Sequence, residues 1–359
     1  MSFPVYATSL NALTHHVCGS LLTEGTRTPS RNGETVEVCD VELFLLEPKN
    51  RHLYLEGRTN NIYGTLGEVF WLLAEQTEVS PVLEKFVPRA INYSDDGKTW
   101  RAGYGERLYE SNQIDHACQM FIKDGKNTRR SVMSIWQPNK DTIEAVQEQG
   151  YPDSKDYPCS NFLWYWIRDN KFNCKLGMRS NDWIFGGSNI NIVEFTILQE
   201  IMLRLLQNAR PEVFNEVQLG YYHHSVISLH LYDTTIKQAE NIVANKDVNL
   251  SRGEALKNFD ISIGKHDYKQ LKMFFRDIYY SFWNNSMQNE SYDRVTKVFE
   301  SHNVPRSGNQ LYAYAILAEA YLDSLVKKPV DFNLMKSYLS DDLYETVKHN
   351  KFTPKEWLV

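Results

Sequence analysis

Cysteine is scarce, with five in 359 residues: Cys18, Cys39, Cys118, Cys159 and Cys174. The number is odd and none stands in a close pair, which excludes a zinc ribbon or dithiol redox motif and fits a reducing, cytoplasmic setting. An excess of basic charge is also missing, with 39 basic against 45 acidic residues and a formal charge of −6. Wrapping a polymeric nucleic acid takes a dense cationic surface, so no such partner is expected. One or two arginines still suffice for a single nucleotide. No apolar run approaches the ~18 residues that cross a bilayer, and no basic segment leads an apolar one at the N-terminus. Neither a membrane nor a metal is expected.

What is present is an ordinary globular complement, 42% hydrophobic and 13% aromatic, enough for one large core or a core with a smaller appendage. Apolar spacing predicts an opening helix over residues 1–25, then a turn-rich loop, Gly25 to Gly33, bearing Arg27 and Arg31. A strand is predicted over 36–46 and an apolar helix over 62–74. A glycine-bearing connection covers 93–107, a helix 109–123, a strand 131–136, and a surface loop with a short helix 137–157. Strands at 161–168 and 172–178 flank the turn Arg168-Asp169-Asn170-Lys171. A broad apolar face makes 192–206 the strongest central helix, and a strand at 225–232 leads into a helix from 233. Beyond about 245 the pattern turns helical, at 267–283, 291–300, 309–326 and 332–348. The reading is α+β, a mixed sheet with packed helices in residues 1–245 and an all-helical extension over 246–359.

Several residues stand out chemically. Cys159 follows Pro158 and precedes Ser160-Asn161, and Arg179-Ser180-Asn181-Asp182 comes twenty residues later. A thiol nucleophile, a guanidinium for a phosphate and a carboxylate for a heterocycle suggest chemistry on a nucleotide base. Glu68 sits in an otherwise apolar helix, where an unpaired buried carboxylate costs ~3 kcal/mol or more, which favours a functional role. Singly, each has a bland reading: a buried structural cysteine, solvated Arg129 and Arg130, a core His230, an Asp182 paired to Arg179.

The joint order is more specific. Glu68-Val69-Phe70-Trp71-Leu72, Gly103-Tyr104-Gly105, Arg129-Arg130, Cys159, Arg179-Ser180-Asn181-Asp182 and His230-Leu231-Tyr232 together resemble the thymidylate synthase and pyrimidine-nucleotide hydroxymethylase superfamily over about residues 20–240. Ser160 stands where synthases carry histidine, and the surrounding run is closer to the hydroxymethylases. The resemblance implies a thymidylate synthase-like fold and a homodimer with shared active sites. It implies Cys159, Glu68 and Tyr104 as catalytic residues, and Arg31, Arg179 and Ser180 at the phosphate, with Arg129 and Arg130 reaching across the dimer. His230 and Tyr232 would hold the sugar, and Asp182 and Trp71 the cofactor, 5,10-methylenetetrahydrofolate. For the base reader, Asn189 lies one position short of the usual synthase spacing and Asn191 one beyond; the longer, hydroxymethylase-like spacing selects Asn191.

A thiolate adding at C6 makes C5 of a pyrimidine nucleophilic, and the arginines around Cys159 are expected to favour its ionised form. The implied activity is 5-hydroxymethylation of a pyrimidine nucleoside monophosphate, dUMP favoured, with tetrahydrofolate released. The alternatives are a dCMP or CMP hydroxymethylase, a thymidylate synthase, and a non-catalytic nucleotide-binding protein.

Overall fold

The computed structural model describes residues 4–245, 256–283 and 293–358. Seven strands form one mixed sheet: β1 (Pro4–Ala7), β2 (Thr26–Ser30), β3 (Gly33–Leu45), β4 (Val132–Ser134), β5 (Ser160–Arg168), β6 (Lys171–Asp182) and β7 (Gln218–Tyr232). Their order is β1-β3-β7-β6-β5-β4, with β2 folded back on β3. β1 runs parallel to β3 and β6 parallel to β7, and the other pairs are antiparallel. This is the expected α+β fold.

The period of two along β7 sorts the faces. Tyr222, His224 and Val226 are buried, while Tyr221, His223 and Ser225 face the other way and are only half-buried. The helices Leu10–Glu24 and Ile192–Ala209 cover the buried face, the second packing on β6 and β7. The helix Ile62–Leu73 starts where the Asn61 side chain accepts from the Gly64 N–H at 3.0 Å, a cap that satisfies one orphan donor. It packs on Ile192–Ala209 on one side and on the C-terminal helices Tyr268–Trp283 and Gln310–Leu325 on another. Surrounded in this way, eleven of its twelve residues are buried, and the exception is Glu68.

The C-terminal helices share the central core. Tyr63 stacks on Tyr321 at 4.2 Å and Phe70 meets Phe282 edge-on at 5.4 Å. Arg51 and Glu200 form an ion pair buried at 1% exposure on each side, and Glu200 also accepts from the Ile261 N–H at 2.7 Å. A charge in so dry a place is tolerable only while its partner remains.

Some expectations change. The segment Gly25 to Gly33 is a β-hairpin: Thr26–Ser30 pair with β3, and Arg31 and Asn32 form a two-residue turn closed by Gly33 at φ +120°. Its strand, Thr-Arg-Thr-Pro-Ser, is polar and largely exposed, so it carries no apolar alternation to read. The opening helix begins only at Leu10, after β1, with Ser9 as its cap. The strand at 225–232 is the end of a 15-residue strand, and 332–348 is two helices, Phe332–Lys336 and Asp341–Lys348. The start of the predicted helix 291–300 and the residues just after the 245/246 boundary lie outside the described residues.

Candidate active site

A cavity of about 600 Å³ opens at the end of the sheet where β6, β7, the hairpin turn and the glutamate helix converge. Of the residues singled out in the sequence, Cys159, Glu68, Tyr104, Arg31, Arg179, Ser180, Asn191, His230, Tyr232, Asp182 and Trp71 all line it. Arg129 and Arg130 do not: both are exposed on the loop before β4, and Arg130 is paired with Asp124 of its own chain. Asn191 faces the cavity, whereas Asn189 is absent from its lining and its carbonyl accepts from the Thr65 hydroxyl at 2.8 Å.

Cys159 immediately precedes β5, beside a register shift between Ser160 and Phe162 that bends the strand end. The Arg179 guanidinium lies 3.6 Å from its Sγ and also donates to the carbonyls of Pro158 and Tyr157, at 3.0 and 3.1 Å. Burial pushes the Cys159 thiol up, and Arg179 and Arg31 pull it back only in part. The arginines act in the direction expected, but without a ligand they do not outweigh desolvation. The Tyr104 hydroxyl lies beside Cys159, accepting from the Ser160 N–H at 3.2 Å. Burial, with Cys159 beside it, holds this phenol above its ordinary range.

Two carboxyls also line the cavity. Glu68 is raised to about 8 by burial and by Glu194, and Glu194 is raised to about 7 by burial, against a stabilising hydrogen bond from Asn191. The Asn191 Nδ2 donates to Glu194 Oε1 at 2.9 Å. That bond favours the charged form of Glu194, whereas Glu68 has Glu194 beside it and is the harder of the two to ionise.

The remaining wall is aromatic. Trp71 and Trp100 meet edge-on at 5.4 Å, Phe185 carries the Arg89 guanidinium 4.3 Å above its ring, and Asp182 lines the same cavity. Burial lifts Asp182 to about 6 against the N–H groups of Ile184 and Phe185 and the charges of Arg58 and Arg89. Flat aromatic walls with one carboxylate fit a flat heterocycle with ring N–H donors, which suits the folate expected there. At the outer rim Arg31 and Arg179 share the lining with Ser180 and Lys155, a cationic edge for a phosphate.

Sequence reasoning missed Glu194, Asp156, Trp100 and Phe185, and gave Asn181 no role of its own within the motif Arg179-Ser180-Asn181-Asp182; all five line the cavity. Glu194 had a usable signal, since it interrupts an apolar helix just as Glu68 does. Among the described residues no group of acidic, histidine or cysteine side chains could hold a metal ion, and no helix is long and apolar enough to cross a membrane.

Comparison with known proteins places this mixed sheet and its cavity in a family. The thymidylate synthase family matches residues 14–273, and the chain belongs to that family. The match runs past residue 245 into the helix Tyr268–Trp283. A deoxyuridylate hydroxymethyltransferase of Delftia phage PhiW-14 is 35% identical over 219 residues, covering 60% of this chain and 58% of that protein. One from Bacillus phage SP01 is 28% identical over 253 residues, 67% of this chain and 62% of its own length. A thymidylate synthase of Listeria monocytogenes is 29% identical over a shorter stretch, 148 residues, or 41% of this chain and 40% of the synthase. The chain thus aligns with about three-fifths of each of these phage relatives.

Proposed function

We propose that this protein transfers a one-carbon unit from 5,10-methylenetetrahydrofolate to C5 of dUMP and releases 5-hydroxymethyl-dUMP and tetrahydrofolate. The observation that carries the reading is that Cys159, Glu68 and Glu194 line one cavity together with Arg31, Arg179 and the aromatic side chains Trp71, Trp100 and Phe185. The names of the phage relatives and their longer alignments support hydroxymethylation over methylation.

In this reading Arg31, Arg179 and Ser180 hold the phosphate, His230 and Tyr232 the deoxyribose, and Asn191 the base. Phosphate binding brings a dianion to the rim and a pyrimidine over the thiol. Cys159 gives its proton up and adds to C6, and the electron pair of the C5–C6 bond moves to C5 and O4. Glu68, protonated near neutrality, donates toward O4, while the proton released by the thiol passes to bulk water through the open cavity, with Tyr104 hydrogen-bonded beside it. Asp182 and Trp71 hold the folate, which when bound supplies the one-carbon unit. Glu68 and ionised Glu194 also give a water molecule two acceptors on the C5 side, and such a water is the source of the hydroxyl group. Positioning of this kind decides between water and hydride as the final donor.

The sheet's uncovered face supports a homodimer. Tyr6 stacks on Phe44 at 4.6 Å, Phe44 on His223 at 4.1 Å, and Ile227 is left 59% exposed. A second copy seated on this face buries these rings, and Arg129 and Arg130 would then reach the neighbour's phosphate site. Residues 1–245 form the catalytic part in this proposal, and the helices Tyr268–Trp283 and Gln310–Leu325 buttress the glutamate helix. The test is mass analysis after incubation with 5-fluoro-dUMP and the folate. A covalent adduct on the Cys159 peptide, absent in Cys159→Ser, is the expected result, and reversible binding alone would favour a non-catalytic nucleotide-binding protein.

A further inference from the structure

Behind Asn191 runs a line of hydrogen bonds whose direction is set at one end. Asn191 Nδ2 donates to Glu194 Oε1 at 2.9 Å, and Asn181 Nδ2 donates to Asn191 Oδ1 at 2.8 Å. Asn181 Oδ1 lies 3.1 Å from His224 Nε2, and His224 Nδ1 lies 3.1 Å from the Tyr222 hydroxyl. Asn181, Asn191, Glu194 and His224 are all buried, between 0 and 8% exposed. Two glycines clamp the amides: a methyl at Gly186 would come within 2.8 Å of Asn181 Nδ2, and one at Gly187 within 2.4 Å of Asn181 Oδ1.

An amide can be turned over, and a neutral imidazole can donate from either nitrogen, so neither fixes a direction alone. An ionised carboxylate can only accept. Glu194 therefore compels Asn191 to present Nδ2 to it, which turns Oδ1 toward Asn181, makes Asn181 the donor, and leaves His224 donating through Nε2. Each amide has one hydrogen and one lone pair left, and those of Asn191 face the cavity.

We propose that Glu194 is the specificity-determining positioning residue: by polarising this chain it locks the Asn191 amide in the orientation that accepts uracil and rejects cytosine. The proposal rests on the dUMP reading above. With C4 of the base toward the carboxyls, Nδ2 meets O4 and Oδ1 meets N3–H. Cytosine presents an amino group to Nδ2 and a bare nitrogen to Oδ1, so both contacts become repulsive.

The test is the ratio of dCMP to dUMP dissociation constants, measured by calorimetry on the full chain without folate. Wild type should favour dUMP by ~100-fold or more, as expected of a site that leaves buried polar groups unpaired with the wrong ligand. Glu194→Gln keeps the shape but can donate or accept, so the preference should fall to within ~5-fold. The double variant Asn181→Asp with Glu194→Gln moves the acceptor-only group to the other end of Asn191 and should invert the preference toward dCMP. A merely structural role for Glu194 cannot produce inversion. Wild type selective for dUMP with both variants equally selective overturns the relay alone. Wild type that binds both nucleotides equally, or neither, overturns the substrate reading and the relay with it.

Discussion

Changing Glu68→Gln should stabilise the protein, and the gain should grow with pH. Glu68 faces the cavity from a helix whose other eleven residues are buried, and burial with Glu194 nearby raises it from an ordinary 4.5 to about 8. The unfolded chain releases this proton near 4.5, so between the two values the folded protein holds a proton the unfolded one has lost. Stability therefore declines as pH rises across that interval, with no cost below it and the full cost above it. The whole interval corresponds to about 5 kcal/mol. The carboxyl is partly open to the cavity, where solvent screens it, so roughly 2–3 kcal/mol is the expected share. Glutamine has no proton to lose and escapes this cost. Urea unfolding of both proteins at about pH 5, 7 and 8.5 should show little difference at the lowest pH and roughly 2 kcal/mol in favour of the variant at the highest. Turnover should be lost throughout. A stability difference that stays constant across the three pH values would refute the argument that Glu68 is held protonated by its surroundings.

The other predictions concern separate parts of the molecule. Arg51→Met removes the buried cation from Glu200 and leaves it the more distant Arg204 at 3.9 Å and the Ile261 N–H, and urea unfolding at neutral pH should show a loss of about 3 kcal/mol; a change under ~1 kcal/mol would mean that these two satisfy the carboxylate. Asp182→Ala should raise the folate concentration needed for half-maximal turnover far more than it weakens dUMP binding, and equal losses would make Asp182 structural. Mixed dimers of inactive Arg130→Ala and inactive Cys159→Ser subunits should regain one working site, and heterodimers shown to form yet lacking activity would count against a clamp shared between subunits.

The sequence exposed what is local and chemically loud. Cys159, Arg179 and Asp182 lie in short motifs on strand ends, and Glu68 is a charge in an apolar helix, so each could be found without knowing the fold. Glu194 interrupts its apolar helix as Glu68 does, but its pairing with a second carboxyl follows only once the helix Ile62–Leu73 packs against it. Asn181 and His224 are 43 residues apart and sit on adjacent parallel strands, Asn181 opposite Leu229 and His224 opposite Leu176, so only the folded sheet brings their side chains together. Nothing in either local sequence carries that pairing. The hairpin strand β2 was hidden for the opposite reason: a polar edge strand has no buried face and so no alternation. The Arg51–Glu200 pair is likewise a long-range contact, between residues 149 apart.

The most direct test of the central claim is the pair of products formed from dUMP and 5,10-methylenetetrahydrofolate. Mass analysis of the nucleotide and the absorbance of the released folate report independently on the same turnover. The account predicts 5-hydroxymethyl-dUMP with tetrahydrofolate in equal amounts, because the Glu68 and Glu194 side of the cavity places water against the one-carbon unit. Formation of dTMP in step with dihydrofolate would contradict it and make the protein a thymidylate synthase.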